Sequence, residues 1–265
     1  MEEAESTPKV LIGTPTFKGM RYCLKEFLNG IRAIDYPDCN FLFVDNSKED
    51  DFFNELKKEK NIELIRDDTQ ETSNIDRLIS SRNKILQYAS KKDYDYLLML
   101  DADVIPPKNI LKELISLNKD IVSGVYFNYF NVSGETKWLP CAWKELSQEI
   151  FNKIKEKNPS LIAGFDSPEG MTEHLTDLDV KSGKLSEVVV PSAGCMLLSK
   201  NVFKNISYEM PEHKKQNQTD DVYFLEKARK KGFKIYCFTK IKCEHLVSGK
   251  YKKNSEGNLG HPLFN

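Results

Sequence analysis

Five consecutive residues, Tyr96-Leu97-Leu98-Met99-Leu100, form an apolar run that stops abruptly at Asp101-Ala102-Asp103. A strand with one wet face alternates apolar and polar residues. A run without alternation suits a strand covered on both faces, as in the middle of a parallel sheet. Parallel neighbours need helical crossovers, so such a strand commits the chain to alternating strands and helices.

The flanking sequence supplies that alternation. Short apolar runs at 10–13, 41–44, 62–65 and 120–127 read as strands, and the first two end in Gly13-Thr14-Pro15 and Asp45-Asn46-Ser47. Between them, 21–34 carries Leu24, Phe27, Leu28 and Ile31 at helical spacing, and 51–60 is a charged helix. The clearest helix spans 74–91, with a stripe of Ile75, Leu78, Ile79, Ile85, Leu86 and Ala89. Arg82 falls on that stripe, and a guanidinium on a buried face needs a partner. Pro106-Pro107 opens a helix at 109–117. From 129 to 190 the pattern loosens into a hairpin through Trp143, a helix at 144–157 and loops. Regularity returns with strands at 195–199, 234–238 and 242–245 and a helix at 221–231. The expected architecture is α/β: a mixed, mostly parallel central sheet flanked by helices, with a Rossmann-like first half. The reading is one domain over 8–250, made of halves at 8–127 and 128–250, then a polar tail at 251–265.

Composition narrows the function. A formal net charge of −1 offers none of the basic excess of a nucleic-acid binder. Lysine pairs at 57–58, 214–215, 230–231 and 252–253 read as solvated surface, with contact to an anionic membrane surface or a phosphorylated lipid as the sharper alternative. The six cysteines form no CxxC pair or zinc spacing, which points to a reducing, cytoplasmic setting. The N-terminus is unlike a signal peptide, and no apolar run is long enough to span a bilayer.

Ligands of open α/β sheets sit beyond the carboxyl ends of the strands. Three such ends carry polar groups here: Thr14 with Thr16, Asp45, and Asp101 with Asp103. The first loop, Gly13-Thr14-Pro15-Thr16-Phe17-Lys18-Gly19, lacks both G-x-G-x-x-G and the P-loop pattern. A diphosphate would then need another source of positive charge. Two carboxylates one residue apart could hold a hard divalent cation that bridges phosphates.

Several segments together resemble the family 2-like glycosyltransferases with the A-type fold. They are Ile12-Gly13-Thr14-Pro15-Thr16, Phe43-Val44-Asp45-Asn46-Ser47, Ser81-Arg82-Asn83, Leu98-Met99-Leu100-Asp101-Ala102-Asp103 and Thr219-Asp220-Asp221. Ser192-Ala193-Gly194-Cys195-Met196-Leu197 resembles the family's Gly-containing strand near the acceptor. The resemblance implies a metal-dependent transfer of a hexose-type sugar from a UDP- or GDP-type sugar to a glycan, lipid-linked or small-molecule hydroxyl. Thr14, Pro15, Thr16, Asp45, Arg82, Asp101 and Ala102 would bind the nucleotide sugar. Asp101, Asp103 and His245 would hold Mn2+ or Mg2+. Asp221 would be the base of an inverting reaction, and Gly194, Asp220 and Trp143 would meet the acceptor. The family's acidic pair is usually Glu-Asp and here is Asp220-Asp221. No Q-x-x-R-W motif is present, which argues against a processive synthase. A sugar-phosphate nucleotidyltransferase and a non-catalytic nucleotide-sugar-binding module are the rival readings.

Overall fold

The computed structural model describes residues 7–69, 73–132, 134–210 and 219–247, together with the backbone of 252–253 and 259–260. Its elements run β1 (Val10–Thr16), α1 (Leu24–Arg32), β2 (Cys39–Asp45), α2 (Asp50–Leu56), β3 (Ile62–Arg66), α3 (Asn74–Lys91) and β4 (Tyr96–Leu100). Next come α4 (Ile110–Ser116), β5 (Ile121–Val125), α5 (Gln148–Lys157), α6 (Asp177–Ser182) and β6 (Leu185–Glu187). The series closes with β7 (Cys195–Ser199), α7 (Lys200–Asn205), α8 (Asp220–Lys230) and β8 (Ile235–Lys242). The eight strands form one sheet in the order β6-β8-β5-β7-β4-β1-β2-β3.

β1 runs parallel to β2 and β4, and β2 runs parallel to β3. β7 inserts antiparallel between β4 and β5, while β8 lies parallel to β5 with β6 antiparallel on its outer edge. The expected mixed, mostly parallel sheet is therefore what forms. Strands from 8–127 and from 128–250 share it. The register sets Thr16 beside Asp45, and Cys195 beside Leu100, so the polar strand ends are gathered along one edge.

Burial on both faces explains the unalternating β4 run. On one face Leu11, Met99, Val125 and Leu198 pack with Ile85, Leu86 and Ala89 of α3 and Phe224 of α8. On the other, Ile12, Phe43, Leu98 and Leu197 pack with Phe27 and Ile31 of α1, Phe52 of α2 and Leu114 of α4. Ser73 caps α3 by accepting from the amides of Ile75 and Asp76. α3 lies so close to β1 that a Cβ on Gly13 would meet Ile85 Cγ2 at 2.2 Å.

The middle segment departs from the sequence expectation. The hairpin pairs Phe127–Val132 with Glu135–Pro140, and its turn uses Gly134 at φ 86°, where L-residues are strained. Trp143–Glu145 instead pairs with Thr172–His174. The helix there starts at Gln148, where Ser147 caps it, rather than at 144. α6, with a Thr176–Asp179 capping box, and α7 were not expected, because each spans under two turns and shows little periodicity. No helix among the described residues is long and apolar enough to cross a membrane. Lys57 and Lys230 are exposed near the C-termini of α2 and α8, where cations complement the helix dipole. Lys214 and Lys215, and the side chains of Lys252 and Lys253, lie outside the described residues.

Candidate functional site

A cleft of about 300 Å3 opens where β1, β2 and β4 end against the first half of α3. Pro15, Thr16, Arg82, Asp101, Ala102 and Asp103, all expected to bind the donor or its metal, line it. So do Phe17, Met20, Asn46, Asn74, Arg77 and Leu78, which the sequence reading did not assign. A signal for two of them, Asn74 and Leu78, existed. Asn74, Leu78 and Arg82 recur at i, i+4 and i+8, so they share a helix face.

Arg82 organises the acidic groups. Its side chain is only 6% exposed. One terminal nitrogen donates to Asp220 Oδ2 at 2.6 Å and the other to Asp101 Oδ1 at 3.2 Å. Its guanidinium lies 5.2 Å from the centre of the Tyr208 ring. Burial opposes its charge, but Asp101 and Asp220 outweigh burial and hold its pKa well above the usual value. The partner demanded by a buried-stripe arginine is thus a pair of carboxylates from two distant segments. The neighbours of Arg82 on α3 fix two further loops. Ser81 donates to Asp67 Oδ2 at 2.8 Å and accepts from Asn46 at 3.1 Å. Asn83 brackets the Tyr208 peptide, donating to its carbonyl and accepting from its amide, each at 2.8 Å.

Asp101 also takes up the space where a side chain on residue 194 would be. A Cβ on Gly194 would lie 2.7 Å from Asp101 Oδ2 and 2.8 Å from the Tyr126 hydroxyl. The Asp101 amide donates to the Gly194 carbonyl at 2.9 Å, and the Gly194 amide donates to the Tyr126 hydroxyl at 3.1 Å. Burial raises the pKa of Asp101. Arg82 opposes that shift, and the charges of Asp103 and Asp221 add to it.

His245 is brought beside the acidic motif because Glu244–His245 pairs antiparallel with Val104–Ile105. Its Nε2 stands 3.5 Å from Asp103 Oδ2, and its Nδ1 is 2.9 Å from the Phe127 carbonyl. Burial disfavours the charged ring, yet Asp103 and the Phe127 carbonyl prevail and raise its pKa. The Tyr22 hydroxyl closes this corner, donating to the Leu246 carbonyl at 2.6 Å.

The donor set fits a divalent cation in a particular way. Among the described residues no three His, Cys, Asp or Glu side chains group closely enough to cage an ion alone. Asp103 and His245 offer an oxygen and a nitrogen side by side, while Asp101 leans on Arg82. Ions of the Mg2+ type are commonly held by one or two carboxylates and completed by substrate phosphates and water, so two protein donors suffice.

Other expected residues lie elsewhere. Asp45 is fully buried: Ser47 donates to Oδ1 through its amide and hydroxyl, and Arg66 donates to Oδ2 at 3.1 Å. Its neighbour Asn46 lines the cleft instead. Thr14 is also fully buried, and its hydroxyl has no hydrogen-bond partner among the described residues. Asp220, expected at the acceptor, faces inward to Arg82 with its side chain 3% exposed. Asp221 remains partly exposed at the first turn of α8, held by the Thr219 hydroxyl, and its charge is felt by Asp101 and Tyr126. Trp143 does not line the cleft. Its ring packs on Phe130 and His174 at centroid distances of 5.6 and 4.6 Å.

Comparison with solved structures agrees with this architecture. Residues 1–349 of TarS from S. aureus superpose with a TM-score of 0.51 at 16% identity, covering 89% of this chain and 60% of that one. The mannosyltransferase PcManGT from Pyrobaculum calidifontis, solved with GDP-Man and Mn2+, gives a TM-score of 0.54 at 14% identity over 93% of this chain and 59% of that one. GalNAc-T7, solved with UDP, GalNAc and Mn2+, gives 0.55 at 10% identity over 92% of this chain and 44% of that one. At such identities the likeness concerns the fold, and this chain spans three fifths or less of each relative's length. No curated protein sequence matches significantly. The family described as Glycosyl transferase family 2 matches residues 12–171, more than half of the 265. With that match laid over an A-type sheet and its cleft, the chain belongs to glycosyl transferase family 2.

Proposed function

We propose that the protein transfers a hexose-type sugar from a UDP- or GDP-type nucleotide sugar to an acceptor hydroxyl, with inversion at the anomeric carbon. The observation that supports this reading is a cleft lined by Asp101, Asp103 and Arg82, in which the buried Arg82 pairs with Asp101 and Asp220 and the charge of Asp221 is felt at Asp101. That surplus of negative charge favours a ligand that arrives with a divalent cation. Mn2+ or Mg2+, held by Asp103 and His245, would act there as a Lewis acid toward the leaving diphosphate.

The protein's own groups do the rest. Pro15, Thr16, Asn46 and Arg77 line the part of the cleft where β1, β2 and α3 meet, and hold the nucleoside. Arg82 keeps Asp101 oriented and neutralises part of the acidic field. Asp221 accepts the proton of the acceptor hydroxyl as its oxygen bonds to the anomeric carbon. The bond from that carbon to the phosphate oxygen breaks, and the nucleoside diphosphate departs.

The test is a thermal-shift panel of UDP, GDP, CDP and dTDP, each with and without Mn2+. One diphosphate should stabilise the protein only with metal, by about 2.7 kcal/mol at a hundredfold excess over Kd. Asp103→Ala should remove the metal-dependent part. Absence of any shift across the panel would refute the donor cleft. Retained anomeric configuration in the product, read by proton NMR, would refute Asp221 as the base.

A further inference from the structure

The hairpin of residues 127–140 projects from the main sheet and is anchored to its first core through Phe127. Tyr129 sits opposite Trp138, and Phe127 opposite Pro140. Because side chains alternate along a strand, Phe127, Tyr129, Asn131, Thr136 and Trp138 share one face. There the Trp138 indole stacks on Phe127 at 6.0 Å and 15°, and lies 4.4 Å from Tyr129. Held from these sides, Trp138 is still 44% exposed. Asn131 and Thr136, the next pair outward, are exposed as well.

The roots of this hairpin are tied to the acidic cluster. The Cys141 amide donates to the Tyr126 carbonyl at 2.8 Å, closing its base. The Tyr126 hydroxyl bonds the Gly194 amide, and its ring meets His245 edge-on at 5.0 Å. The Phe127 carbonyl bonds His245. The Tyr126 hydroxyl and Asp101 Oδ2 crowd the same point beside Gly194, and His245 stands 3.5 Å from Asp103, so the hairpin root abuts the carboxylates of the cleft. Trp138 is three residues from Cys141, about 10 Å of extended strand. That is farther than one sugar ring from the root, and within reach of the next ring along a chain.

We propose that the Trp138 face is a carbohydrate subsite. One pyranose of an oligosaccharide acceptor lays its apolar C–H face on the indole, its hydroxyls meet Asn131 and Thr136, and the adjoining unit presents its hydroxyl to Asp221. The inference rests on the transferase reading above and names its acceptor class. The chemistry of the face selects this occupant. An aromatic centre with an amide and hydroxyl rim matches a ring that is apolar on its face and polar at its edge. A phosphorylated lipid would need cations, and among the described residues of the hairpin this face has none: Lys137 projects from the opposite face and pairs with Glu135 at 3.2 Å.

The chain has two tryptophans, so Trp143→Phe leaves Trp138 as the single indole reporter. Its emission is followed while cellotriose, maltotriose, mannotriose or chitotriose is added to the protein loaded with Mn2+ and the diphosphate that binds. Glycerol 3-phosphate serves as the lipid-phosphate control. A saturable change with at least one trisaccharide and none with glycerol 3-phosphate is the expected result. Trp138→Ala should raise the KM for that acceptor about tenfold, the loss of one aromatic contact, with the diphosphate thermal shift intact. Silence from every trisaccharide while the diphosphate still binds, a response to glycerol 3-phosphate alone, or an unchanged acceptor KM in Trp138→Ala would overturn the subsite. Failure of the diphosphate itself to bind would overturn the transferase reading, and the acceptor subsite with it.

Discussion

Asp67 follows β3, has no exposed side-chain surface, and was not singled out in the sequence. Its carboxylate accepts from Thr69, Ser80, Ser81 and Lys84. Burial disfavours its ionised form, but Lys84 and the three hydroxyls overcome burial and hold its pKa below the ordinary aspartate value. A carboxylate whose folded pKa is depressed contributes stability above its unfolded pKa of about 3.9, and that contribution disappears as the pH falls through the folded value. Asp67→Asn should therefore destabilise the protein by about 1.5–3 kcal/mol at pH 7, the worth of hydrogen bonds to a charged group. Urea unfolding should show the variant and parent converging as the pH falls below 4. An equal gap at pH 7 and pH 3 would show that shape, and not charge, is what the substitution damages. The sequence marked Arg82 by the same physics, since a charge on an apolar stripe must be paired. It could not mark Asp67, because an aspartate after a strand ordinarily reads as a turn residue.

At the level of elements, the close approach of β4 and β7 governs the site. Gly194 opens β7, and its missing side chain leaves room for Asp101 Oδ2 and the Tyr126 hydroxyl. Both are ends of side chains that can rotate, so Gly194→Ala should move the carboxylate rather than unfold the sheet. We expect Tm to fall by no more than about 4 °C, the effect of ~1 kcal/mol in a protein of this size. Turnover should drop by about a hundredfold, because small misplacements at a reacting centre are costly. Parental turnover in that variant would mean that the orientation of Asp101 is not what Gly194 protects. The Gly-containing segment was legible as a motif, but its reason was not. Asp101 and Gly194 are neighbours only because β7 pairs antiparallel with β4.

Across the whole molecule, stability and chemistry are carried by different parts. Two apolar layers, one on each face of the sheet, hold the fold together. No cluster of metal ligands ties elements together among the described residues. Chelation with EDTA should consequently leave the melting temperature of the ligand-free protein unchanged. It should abolish only the extra stability conferred by the nucleoside diphosphate. A fall in the melting temperature of the ligand-free protein would point to a structural ion, since such ions contribute folding energy directly.

The sequence by itself determined the sheet's class and the edge along which the candidate cleft opens. Unbroken apolar runs, helical stripes and polar strand ends are local patterns, and burial on two faces of a parallel sheet follows from them without knowledge of partners. Asp101, Asp103, Thr16 and Arg82 were legible for that reason. The tertiary structure alone decided which carboxylate faces which cation. Asp220 and Asp221 are adjacent in sequence, yet the helical rotation at the start of α8 sends one inward to Arg82 and leaves the other partly exposed. Strand pairings remote in sequence also set Asp45 against Arg66 and Trp143 within an aromatic cluster, placements that no local pattern foretold. Pairing energy depends on distances between segments far apart along the chain, and no local pattern encodes those distances.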